Sequence, residues 1–282
     1  MSGAPPAAPG APAPPHEAAS SPEAAFFDLD RTLMAGSSGF HWARAARGAG
    51  LVTRRRLAAD AWINLRFRLQ GSTDAGTDKV RERVGQLIAG RRVRDLERLA
   101  PKVLAGVLPR LYPQMLDVAY RHQDAGRRVY IVTAASQEMA ALLAHVLGFD
   151  GGIGSRSEIV DGHYTGRPGG PFTYREGKAA AVRALAADEG IDLGASYAYS
   201  DSESDLPMLR AVGHPVAVNP DAVLARVARE EGWDLLRFDT LGRRVQAGLA
   251  ILLAALAGTA GSLAARRGTT LLPGARRGAV RR

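Results

Sequence analysis

Short apolar runs that end in polar residues recur along the chain, and helical patterns separate them. The first, Ala24-Ala25-Phe26-Phe27, stops at Asp28-Leu29-Asp30. Arg128–Val132 forms a second, ending at Thr133; Ser196–Ser200 forms a third, ending at Asp201; Pro215–Val218 forms a fourth. Short runs rich in Val, Ile, Phe and Tyr, bounded by polar residues, predict buried strands. Between them, apolar residues at helical spacing predict helices over Gln137–Leu147, Lys178–Glu189 and Asp205–Val212, each followed by a glycine (Gly148, Gly190, Gly213). Glycine is favoured there because the residue closing a helix often takes a left-handed conformation. Strands alternating with helices predict βαβ units, hence an α/β fold with a parallel sheet.

Two segments interrupt the alternation. Gly36–Tyr112 is long, Arg-rich and helical in pattern, with Trp42, Trp62, Ile63, Leu65, Phe67 and Leu69 as apolar anchors. It predicts a helical domain over 36–112, inserted into a core built from 23–35 and 113–240. The other is Glu158-Ile159-Val160, Asp161-Gly162, His163-Tyr164-Thr165, where Asp-Gly between β-prone triplets predicts a hairpin. Residues 1–22 hold seven of the sixteen prolines and read as a disordered leader. With no basic start and no apolar run, they do not read as a signal peptide.

The 282 residues are 46% hydrophobic and 23% charged, which excludes wholesale disorder. There is no cysteine, so disulfides, thiolate zinc sites, iron–sulfur clusters and cysteine nucleophiles are excluded too. The net charge of +9 is unevenly placed: 241–282 carry eight arginines and no acid, and Gly36–Tyr112 carries 16 basic and 6 acidic residues. Two separate blocks, rather than one charged reading element, argue against nucleic acid and for an anionic small substrate or a membrane surface.

Candidate chemistry lies where the predicted strands end. Ligands of open parallel sheets bind outside the carboxyl ends of the strands. Asp28-x-Asp30-x-Thr32, Thr133 and Asp201-x-x-x-Asp205 all fall there, and Gly177-Lys178 opens the helix preceding the third strand. A carboxylate can attack phosphorus and split a hard step into two. A second carboxyl can protonate the leaving oxygen and then activate water. Crowded acids call for a hard cation such as Mg²⁺, while a hydroxyl and an ammonium hold the remaining phosphoryl oxygens. Taken singly, these residues read as turn, cap, solvated loop and surface lysine. Lys178, however, is one of three lysines against 34 arginines, and four such pieces in this order make the catalytic reading the economical one.

That order resembles the haloacid dehalogenase superfamily. Phe26-Phe27-Asp28-Leu29-Asp30-Arg31-Thr32-Leu33 is similar to its first motif and Val129–Ser136 to its second. Gly177-Lys178 is similar to the third, and Tyr199–Leu209 to the fourth. The insertion, the Asp161-Gly162 hairpin and Ala217-Val218-Asn219-Pro220 resemble the phosphoserine-phosphatase-like branch. The resemblance covers roughly Ala24 to Asp239. It implies a Rossmann-like core with an inserted C1-type helical cap, and Mg²⁺-dependent phosphomonoester hydrolysis through an aspartyl-phosphate. Asp28 is then the nucleophile and Asp30 the general acid/base. Asp28, the Asp30 carbonyl and Asp201 bind the metal, Thr133 and Lys178 hold phosphate, and Asp205 stands behind them. Met34–Gly39 contains no acid to hold a substrate amine, and Ser202 and Ser204 replace the usual Gly and Asn. Both departures argue against phosphoserine while leaving the chemistry intact. The expected partner is a small phosphorylated metabolite or a lipid headgroup. Two other readings share this fold: a membrane-tethered binding or regulatory module, and a phosphotransferase to an acceptor other than water.

Val245–Ala265 is uncharged over 21 residues, long enough to cross a bilayer, but eleven of them are Ala or Gly. Six arginines follow it and two precede it. As a single span it would keep its six-arginine side cytoplasmic and place the core outside, with no export signal to take it there. A helix lying in the interface on anionic lipid avoids this conflict; a span and a soluble packing element are the other two placements. The expected location is cytoplasmic, at the inner face of the membrane.

Overall fold

The structure is a computed structural model that describes residues 21–51 and 74–238. The apolar run at the start of the core forms β1 (Ala24–Asp28), with all five residues buried. β2 (Arg128–Ser136) lies parallel on one side of it and β6 (Tyr197–Ser200) parallel on the other. With β3 (Gly151–Ser155), β7 (His214–Val218) and β8 (Asp234–Leu236) they make a six-stranded sheet, ordered β3-β2-β1-β6-β7-β8 and parallel throughout. The chain leaves β1 toward one edge and later returns to build the other. The carboxyl end of β1 is therefore the point where strand order reverses, the usual place for a ligand in such sheets.

The core helices follow from local sequence. α6 (Gln137–Leu147) starts at Ser136, whose hydroxyl accepts the Met139 amide, and ends at Gly148 with φ 69°. α7 (Glu176–Glu189) ends at Gly190, also left-handed at φ 69°. α9 (Ala222–Glu230) starts at Asp221, whose carboxylate accepts the Leu224 amide.

The helix expected over Asp205–Val212 is shorter: a 3₁₀ turn at Glu203–Asp205 and then α8 (Leu206–Leu209). Beyond it, Gly213 donates its amide to the Leu193 carbonyl and lies so close to Gly194 that a Cβ would fall 1.8 Å from the Gly194 oxygen, a contact made outside the helix. Two strands lack an apolar run of strand length. β3 reads Gly-Gly-Ile-Gly-Ser because α6 presses on it: a Cβ on Gly152 would meet the Ala140 oxygen at 2.2 Å, and one on Gly154 the Ser136 oxygen at 2.7 Å. β8 has only three residues.

Between β1 and β2 the described residues form α1 (Ser38–Gly48), α2 (Asp74–Ile88), α3 (Val93–Glu97) and α4 (Ala100–Val107), followed by α5 (Pro113–Asp124). The hairpin pairs β4 (Ser157–Val160) with β5 (His163–Pro168) through Asp161 and Gly162, both left-handed, as a two-residue primed turn requires. It is stitched to the insertion, with the Val93 amide donating to the Gly162 carbonyl and the Tyr164 amide to the Arg91 carbonyl. Of the expected anchors, Trp62, Ile63, Leu65, Phe67 and Leu69 lie outside the described residues. So do residues 1–20 of the leader and the whole of Val245–Ala265. Among the described residues, no helix is long and apolar enough to cross a membrane.

Candidate active site

Asp28 and Asp201 lie at or just past strand ends on the sheet's carboxyl edge, while Thr133 falls inside β2, which runs on to Ser136 rather than ending there, and Lys178 comes from a helix. Asp28 is the last residue of β1 and is 7% exposed. Asp201 directly follows β6, and Asp205 closes the 3₁₀ turn after it; both are buried. Lys178 projects from the first turn of α7 and is 3% exposed. Its Nζ donates to Asp28 Oδ1 at 2.5 Å and to Asp205 Oδ2 at 2.7 Å. One buried ammonium thus ties together residues 150 positions apart in sequence.

The arrangement shifts the carboxyl groups strongly. Burial pushes the Asp28 pKa up to about 7; the Lys178 charge opposes the rise, and the Asp205 charge adds to it. Burial likewise pushes Asp201 up to about 8, helped by the Asp28 charge and opposed by Arg31. Burial alone would lower Lys178, but the carboxylates of Asp205 and Asp28 outweigh it and raise its pKa.

The supporting contacts were less visible in the sequence. The Ser200 hydroxyl donates to Asp205 Oδ2 at 2.7 Å, so that oxygen is held from two sides. Asp30 accepts from the Ser37 hydroxyl and from the Ser38 amide, both at 2.8 Å, which ties it to the first turn of α1. Thr133 is buried in β2, and its Oγ1 accepts the Ala135 amide at 3.2 Å. Arg31, with φ 68°, brings its guanidinium to 2.9 Å from Asp201 Oδ2 but off the direction of a hydrogen bond. Ser200 and the Ser37-Ser38 pair carried a weak signal only, as small polar residues flanking the motif acids.

The donor chemistry suits a hard divalent cation. Two carboxyls, Asp28 and Asp201, are held well above their ordinary pKa by burial first and by neighbouring carboxylates second. Two buried oxygens, Asp201 Oδ2 and Asp205 Oδ1, have no hydrogen-bond donor. Among the described residues no three acidic or histidine side chains already close on a single point, as Lys178 and Arg31 supply the positive charge.

Fold and site define a hydrolase of the Rossmann-like kind, and residues 25–210 match the haloacid dehalogenase-like hydrolases. The chain belongs to that family. It is 37% identical over 248 residues to phosphoserine phosphatase SerB1 of Mycobacterium tuberculosis, covering 86% of this chain and 80% of that protein. It is 32% identical over 219 residues to a histidinol-phosphatase of Neisseria meningitidis, covering 76% of this chain and 98% of that protein. A crystal structure of a protein of unknown function from Bordetella pertussis superposes with a TM-score of 0.69 at 31% identity, covering 77% of this chain and 99% of that one.

Proposed function

We propose that the protein is a Mg²⁺-dependent phosphomonoesterase working through an aspartyl-phosphate on Asp28. The observation that carries this reading is the buried Lys178 bonded to Asp28 and Asp205 at the sheet's switch point. Lys178 occupies Asp28 Oδ1, which leaves Oδ2 to attack phosphorus as the ester P–O bond breaks. Asp30, held by Ser37 and Ser38, gives its proton to the departing alcohol oxygen. As a carboxylate it then takes a proton from the water that attacks the phosphoryl group, releasing inorganic phosphate and freeing Asp28. Thr133 and Lys178 hold the phosphoryl oxygens.

Asp28, Asp201 and the Asp30 carbonyl would hold the metal, which when bound offsets the negative charge of phosphate and carboxylates. Segment 36–112 serves as the cap that excludes water during the reaction. The substrate class is a small phosphorylated metabolite, in keeping with the phosphoserine and histidinol-phosphate activities for which the relatives are named. The lipid-headgroup and membrane alternatives rest largely on 245–282, outside the described residues.

The test is phosphate release from a panel of phosphomonoesters with Mg²⁺ and with EDTA, for the wild type and Asp28→Asn. Turnover that needs the metal and is lost in the variant supports the proposal. A folded protein that binds Mg²⁺ and turns over nothing points instead to a binding module.

A further inference from the structure

The insertion carries a cationic groove that none of the chemistry above uses. On α1, Phe40, Arg44 and Gly48 follow one another at every fourth position; on α4 and the turn after it, Lys102, Gly106 and Arg110 do the same. Residues four apart share one helix face, so two such rows line a groove of about 470 Å³. His41 is 9% exposed and lies against Gly106, where a Cβ would fall 2.3 Å from Nδ1. Phe40 stands 59% exposed at the groove.

Among the described residues, no acid lines this groove. Among the described residues Arg44 and Lys102 make no ion pair, and Arg110 gives one donor to the Gly106 carbonyl at 2.9 Å. His41 responds to this environment. Its pKa is lowered by burial and then by the charges of Arg110 and Arg44, with Asp30 opposing. The same imidazole therefore feels both the groove's cations and the carboxylate that faces the leaving group.

We infer that this groove binds a second anionic group on the substrate's leaving portion, remote from the phosphoester. The inference rests on the phosphomonoesterase reading, which puts the ester oxygen at Asp30. Asp30 is bonded to the Ser38 amide, and Arg44 lies six residues further along α1, about 9 Å at 1.5 Å rise per residue. Phosphoserine spans much less than that axial separation, its carboxylate being only a few bonds from its ester oxygen. The fitting class is a phosphorylated acid or a bisphosphate with an extended chain between its charges, and Phe40 offers that chain an apolar surface.

Three probes test this: p-nitrophenyl phosphate as a reporter of the chemistry, 6-phosphogluconate with a carboxylate at the far end of its chain, and sorbitol 6-phosphate as its carboxylate-free counterpart. The expected kcat/KM is about tenfold or more higher for the acid, the difference lying in KM, as for a charge-assisted contact. Combining Arg44→Gln with Lys102→Gln brings the ratio of acid to counterpart to within about twofold of one. Both residues are exposed, and a ratio is unaffected by a change in the amount of folded enzyme. A wild-type ratio near one with p-nitrophenyl phosphate still turned over overturns the inference, as does a high ratio that survives the double substitution. Failure to turn over any of the three overturns the phosphomonoesterase reading beneath it.

Discussion

Replacing Lys178 with methionine keeps most of the side chain's volume and removes its charge from between Asp28 and Asp205. The wild-type ammonium is 3% exposed and bonded at 2.5 and 2.7 Å, so neither carboxylate gains water when it goes. Burial already holds Asp28 up at about 7 with the lysine in place. Breaking a buried ionic cluster from one side costs about 3–5 kcal/mol. For a domain of this size each kcal/mol moves the melting temperature by about 2–4 °C, so the expected loss is about 6–20 °C. Adding Asp28→Asn removes one of the stranded charges and should recover about 1 kcal/mol or more, a coupling typical of residues in one network. Thermal and urea denaturation in EDTA at mildly alkaline pH measure both terms. A Lys178→Met protein that melts within about 2 °C of the wild type, or a double variant with strictly additive losses, would refute the claim that this lysine neutralises the site.

Three further outcomes are expected. Alanine at Gly177 places a Cβ 1.8 Å from the Phe172 carbonyl oxygen. It must shift the start of α7 and with it Lys178, lowering phosphatase kcat at least about tenfold beside an overpacking cost of about 1–3 kcal/mol. Ser200→Ala withdraws a donor from Asp205 Oδ2, and urea titration should show a loss of about 1–3 kcal/mol for the less satisfied buried carboxylate. His122 bonds the Tyr199 hydroxyl at 2.7 Å, and burial, then the charges of Arg127 and Arg121, bring its pKa down to about 4. Its neutral form therefore contributes stability that is present above about pH 6.5 and is lost as pH falls toward 4. His122→Phe should flatten that slope in melts across the window, and an unchanged slope would show the histidine to be uninvolved.

The parts of this account legible in the sequence are those where burial and polarity alternate sharply. The run Ala24–Phe27 reads as a short buried strand because it is apolar throughout, and Asp28 and Asp201 stand out because acids follow apolar runs. β3 was not legible. Its glycines are demanded by the backbone of α6 rather than by any strand preference, and that contact exists only in three dimensions. Over Asp205–Val212 the periodicity overstates the helix, and the pairing of the Gly213 amide with the Leu193 carbonyl is again a contact that exists only across the fold. At the site, motif spacing brings out the acids and Lys178, but their partners are hidden. That Ser200 shares an oxygen of Asp205 with Lys178, and that α1 begins on the carboxylate of Asp30, depends on pairings across the fold.

The central claim is that Asp28 becomes covalently phosphorylated during turnover. Acid quenching in the steady state with a good substrate, followed by intact-mass and peptide analysis, tests it most directly. One phosphoryl group on the peptide containing Asp28, removed by hydroxylamine and absent from Asp28→Asn, is the expected result. An enzyme caught turning over with no such adduct, or with the adduct still present in Asp28→Asn, would contradict it.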